Sequence, residues 1–150
     1  KYPEKDTIRE LVAISNNNLG NYIKAYSDFE LLYQKQKDPS TLYNMAKIKY
    51  SLKESNEARK LYKQIISSSE AATKMAEFPS PNGSFQSIAL PAGCYMQLAN
   101  MDADEQKLDA AISNLTKALK ISPGFQTAQY SLQQLRQYKA ELQYKQNSQQ

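Results

Sequence analysis

Apolar residues recur along the chain in short helical stripes separated by turn-forming residues. In the stretch from Tyr95 to Pro123, Tyr95, Leu98 and Ala99 are spaced as one face of a helix, and Ala111, Leu115 and Ala118 as another. The polar stretch Asp102-Ala103-Asp104-Glu105-Gln106 separates them, which predicts two helices folded back as an antiparallel hairpin around a solvated turn. Upstream, residues 1–6 read as a lead-in. Thr7 followed by Glu10 then reads as a capping box that opens a first helix through about Asn18. Its apolar residues are Ile8, Leu11, Val12 and Ile14, with Ala13 as the small member. Gly20 suits a left-handed cap and Asn21 an N-cap. Tyr22, Ala25, Tyr26, Phe29, Leu32 and Tyr33 carry a second helix to about Lys37. Asp38-Pro39 starts a third, with proline at the first helical position, and Leu42, Met45, Ala46 and Tyr50 form its buried stripe. A turn over 51–55 leads to a fourth helix, with Ala58, Leu61, Tyr62, Ile65 and Ile66 on its apolar side.

The periodicity stalls between Ser67 and Gly93, where Pro79, Pro81, Pro91 and the turn signal Asn82-Gly83 occur. Residues 70–78 are expected to prolong the fourth helix or form a short one, and 79–90 to be loop. A segment of this length inside a compact domain is either functional or disordered. After Ser122-Pro123-Gly124 a last helix is expected, with Leu132, Leu135, Tyr138 and Leu142 as its stripe and glutamines on its other sides. Residues 147–150 are expected to fray.

The stripes share a register. Val12-Ala13, Met45-Ala46 and Leu98-Ala99 are related by steps of 33 and then 53 residues. The same two steps connect Ala25, Ala58 and Ala111; Phe29, Tyr62 and Leu115; and Leu32, Ile65 and Ala118. A period near 34 marks a stacked helical repeat, and the longer step is that period with about 19 residues inserted. The pattern resembles the tetratricopeptide repeat, W-x2-L-G-x2-Y, then A-x3-F, then P. The match runs as Tyr95-x2-Leu98-Ala99, Ala111-x3-Leu115 and Pro123. It recurs as Leu42-x2-Met45-Ala46 with Ala58-x3-Tyr62, and as Val12-Ala13 with Ala25-x3-Phe29 and Pro39. Arg9, Lys49 and Asp102 depart from it, and the second unit lacks the closing proline.

The resemblance implies an all-α fold, a right-handed α-α superhelix of stacked helical hairpins with a C-terminal capping helix. It spans 1–150 as a single domain, with units at about 6–38, 39–70 and 92–124, an insert at about 69–93, and the capping helix at about 125–146. First helices line the concave face in this family. Their non-core positions here, and those of the last helix, are Asn17, Tyr43, Asn44, Lys47, Gln97, Asn100, Tyr130 and Gln134. Amides and phenols with little fixed charge suit hydrogen bonding to an extended or helical peptide. One subset of the family clamps chaperone C-terminal carboxylates with lysines, asparagines and an arginine. Asn44 fits one such position, but Glu10, Ile14 and Gln97 stand where lysine, asparagine and arginine are required, so that reading is rejected.

Composition narrows the chemistry. The chain contains no histidine and one cysteine, Cys94, which excludes a structural zinc site, an internal disulfide and a histidine-based triad. Cys94 falls at a helix start, where a thiolate is favoured, yet it has no histidine partner and reads as a packing residue. No Gly-rich phosphate loop is present, and neither a cofactor nor a catalytic site is indicated. The formal charge of +4 is mild and interspersed, which argues against nucleic acid as a partner. No apolar run approaches a membrane span. The chain starts at Lys1, as expected of a processed or excised fragment, and its compartment (cytoplasmic or periplasmic) is open. The functional expectation is a non-catalytic scaffold for a protein or peptide partner. The alternatives are a self-assembling subunit or an accessory domain of a larger enzyme or envelope assembly.

Overall fold

In a computed structural model, residues 3–148 are described, and among them lie seven α-helices and one β-hairpin. The fold is the expected series of helical hairpins. The chain groups into two compact units whose boundary falls between Lys74 and Met75, inside the segment expected as an insert.

The first unit holds α1 (Pro3–Asn18), α2 (Tyr22–Gln36), α3 (Pro39–Ser51) and α4 (Ser55–Ile66), each packed on the next in sequence up to α4. α1 begins four residues before Thr7, so the capping-box start is corrected. Proline tolerates the first turn, and Glu4 and Asp6 are favoured by the positive end of the helix. Its packing face is also corrected. Ala13 and Asn16 are buried, whereas Ile8 and Leu11 are 60% and 62% exposed, because α2 covers only the Ala13 side. Gly20 takes the expected left-handed conformation, with φ of +78°. Asn21 makes no side-chain cap; its amide donates instead to Asn16 Oδ1 at 3.4 Å.

Asp38 behaves as expected. Its Oδ1 accepts from Ser40 N at 3.1 Å, with Pro39 in the first turn of α3. The repeated small and large positions form the core: Ala25, Phe29 and Leu32 on α2, then Ala58, Tyr62 and Ile65 on α4. Tyr50 is half-exposed, and Thr41 and Ile48 are buried on α3 in its place. A 3₁₀ turn at Glu70–Thr73 packs back on α3 and α4 through Ala71, and the following Lys74 ammonium pairs with Asp38 at 3.3 Å.

The second unit opens with strands β1 (Met75–Pro79) and β2 (Phe85–Ala89), paired antiparallel from Met75↔Ala89 to Pro79↔Phe85. The loop expected over 79–90, and the helix expected over 70–78, are therefore corrected to a hairpin preceded by the 3₁₀ turn. Alternation explains it: Phe78 and Ile88 face inward and are buried, while Met75, Glu77, Phe85 and Ser87 face out. The Asn82-Gly83 signal is indeed the turn, where Asn82 Oδ1 accepts from Ser84 N at 3.0 Å and from Ser84 Oγ at 2.7 Å.

Helix α5 (Leu90–Asp104) follows without a break, packs against α6 (Leu108–Ile121), and α6 packs against α7 (Gln126–Asn147). The register holds again, with Ala111, Leu115 and Ala118 buried on α6. Asp102, expected in a solvated turn, is instead a buried α5 residue that accepts from Asn114 Nδ2 at 2.7 Å. On α7 the buried residues are Ala128 and Leu132, and Tyr138 is exposed: α6 is too short to cover the distal turns of the longer helix. Phe125, ahead of α7, is wholly buried against Phe78. The fraying expected over 147–150 falls in part on residues 149–150, outside the described residues.

Candidate functional site

Each unit carries part of the polar set read from the sequence. In the first, Asn17 on α1 and Asn44 and Lys47 on α3 are half-exposed. Tyr43 is a correction. It is 6% exposed, its ring 5.8 Å from that of Tyr62, so it belongs to the core; a large aromatic at this position finds a second ring to pack on. Lys47 lies over the Tyr43 ring, 5.3 Å from its centroid, and burial pulls its ammonium below the usual lysine range.

In the second unit three of the expected residues converge. Asn100 on α5 and Tyr130 and Gln134 on α7 line one cleft of about 220 Å³. Ala99, Ala103, Leu115 and Leu135 provide apolar walls, and Ser131 adds a hydroxyl. The spacing explains the gathering. Asn100 and Ala103 lie three apart on α5, and Tyr130 and Gln134 four apart on α7, so each pair projects from one helix face. Small Ala99 and Ala103 keep the α5 side low and leave the volume open. No Asp, Glu, Lys or Arg lines the cleft, which offers amide, hydroxyl and phenol groups around an apolar floor. Gln97 sits half-exposed one turn earlier on α5 and does not line it.

The sequence did not single out an open cleft at the α1–α2 turn, lined by Tyr22, Ile23 and Leu52. Exposed apolar residues just after Gly20 were its only signal.

Cys94 is fully buried, and burial pushes its thiol well above the ordinary range, opposite to what a nucleophile needs. Native protein at pH 8 is expected to resist alkylation by iodoacetamide over hours, and to react within minutes in denaturant. Rapid modification of folded protein, read by intact mass, would contradict this burial. Among the described residues no cluster of three His, Cys, Asp or Glu side chains is placed to hold a metal ion. No helix among them is long and apolar enough to cross a membrane.

The tetratricopeptide-repeat family model matches residues 39–71 and 92–125, which take in α3, α4 and the first half of the 3₁₀ turn, and then α5 from its third residue together with α6. These two helical hairpins match as tetratricopeptide repeats. Solved structures agree in fold. The TPR2AB domain–pHSP90 complex of yeast Sti1 superposes with a TM-score of 0.75 at 11% identity, over 94% of this chain and 50% of that one. This chain therefore spans half the length of the Sti1 chain. The first TPR of Spaghetti (RPAP3), bound to the HSP90 peptide SRMEEVD, gives 0.66 at 15% identity, over 91% and 94% of the two chains. MamA gives 0.66 at 15%, over 92% and 70%. No curated protein matches the chain.

Proposed function

We propose that this repeat chain is a non-catalytic interaction module whose second unit binds a peptide segment of another protein in the α5–α7 cleft. The observation that carries the reading is the convergence of Asn100, Tyr130 and Gln134 around an apolar floor. The two amides can each donate to and accept from a peptide backbone, and the phenol ring covers an inserted side chain. Two structural neighbours, the Sti1 and Spaghetti domains, are complexes with HSP90 or its peptide, which supports peptide recognition by this architecture. The neutral cleft, with Gln97 just before it, favours an uncharged segment over an acidic terminus. In the first unit, the half-exposed Asn17, Asn44 and Lys47 are the positions proposed for further contacts with a partner.

The test is direct binding of blocked, fluorescein-labelled peptides selected from a random library. Asn100→Ala and Gln134→Ala are each expected to weaken the selected peptide by about 1 kcal/mol, roughly fivefold. Equal affinity for wild type and both variants would reject the cleft as the site.

A further inference from the structure

The cleft between α5 and α7 is lined from Ala99 to Ala103 on one helix and from Tyr130 to Leu135 on the other, and no residue at the start of either helix lines it. Short turns fold α5 and α7 back against α6. The β-hairpin touches the starts of both, through Phe78 at Gly93 and Phe125 and through Gln86 at Gly124 and Gln126. The Phe78 ring approaches α5 so closely that a Cβ on Gly93 would stand 2.8 Å from its Cε2. The same ring meets Phe125 edge-on, with centroids 5.1 Å apart. Gln86 of β2 donates to Gly124 O at 2.6 Å and accepts from Gln126 N at 3.0 Å. The Thr127 hydroxyl donates to Pro79 O. Buried rings and polar ties at both helix starts make this a fixed seat.

Asn100 lies seven residues beyond Gly93, about 10 Å further along the helix, where the groove is uncovered. We propose that the hairpin is a resident ligand of this groove: it fills the N-terminal part in cis and leaves a partner only the cleft beyond. The proposal rests on the peptide-binding reading of that cleft, and it specifies the partner more closely. At about 220 Å³ the cleft falls below the 300–1,000 Å³ usual for small-molecule sites and matches a single side chain. The partner is therefore read through one aliphatic residue (leucine, isoleucine or methionine) within an uncharged segment, not along an extended stretch. Gly93 is the specificity-determining position, because any side chain there would displace Phe78.

The experiment compares the full chain with Gly93→Ala and with a second variant, Phe78→Ala, using a positional-scanning library of acetylated, amidated octapeptides. Wild type is expected to select at one position. Gly93→Ala is expected to raise amide exchange in β1 and β2 about tenfold while α6 stays protected, and to add selection at one or more neighbouring positions. Phe78→Ala vacates the ring's seat, and added selection is expected there too, without a steric wedge. Wild-type selection at two or more adjacent positions would overturn the proposal. So would single-position selection by all three proteins, which leaves the cleft standing and removes the wall. No selection by any of them removes the cleft reading and this proposal together.

Discussion

Phe125→Ala is expected to destabilise the second unit by about 3–5 kcal/mol, the range for deleting a buried aromatic ring. Phe125 is 0% exposed at the start of α7, and its ring meets Phe78 of β1 edge-on. One substitution therefore opens a cavity under the hairpin and removes a favourable ring pair. Differential scanning calorimetry should show the loss. Amide exchange should place it in 75–148 and leave α2 and α4 protected. Phe85→Ala is the control: this ring is on the same hairpin but 73% exposed, and its loss should lie within about 0.5 kcal/mol of zero. Similar effects of the two would mean that the hairpin is not seated through its inner face.

Ala58→Leu and Ala111→Leu are each expected to cost roughly 1–3 kcal/mol, one in each unit. Both alanines are fully buried on second helices, at equivalent places in the register, where the small side chain lets two backbones approach closely. Leucine adds three carbons to a fully buried site, which forces neighbouring side chains off their rotamers in a close-packed interior. Thermal melts provide the measurement. Unchanged midpoints in both variants would reject the shared register.

The repeat was legible because its signal is redundant. Ala25, Ala58 and Ala111, and the large residues four positions after each, recur in step, and every one is buried. Local turn chemistry was legible where a side chain acts on its own neighbours, as at Asp38-Pro39 and Asn82-Gly83. The hairpin was missed for a physical reason. Its inward side consists of Ala76 and Phe78 on β1, and Gln86 and Ile88 on β2, too few apolar residues for period-2 alternation to stand out among prolines. The outward stripe of α1 was misread because an apolar face reports only that a helix has one, not that a neighbour covers it. Asn100, Tyr130 and Gln134 were read as non-core from spacing alone, whereas the depth of their cleft depends on Ala99 and Ala103, whose smallness looked like ordinary helix packing. Tyr43 shows the converse: spacing placed it outside the stripe, and the Tyr62 ring draws it in.

The junction between β2 and α5 has a mechanical consequence. β2 ends at Ala89 and α5 starts at Leu90, with Pro91 in its first turn and no linker residue between them. The strand and the helix thus act as one stiff lever with no slack at the elbow. A pull on the hairpin tip cannot be absorbed by a flexible loop on that side. It must twist the first turn of α5 or unseat Phe78 from Gly93, which makes the hairpin a handle on the helix that forms one wall of the cleft.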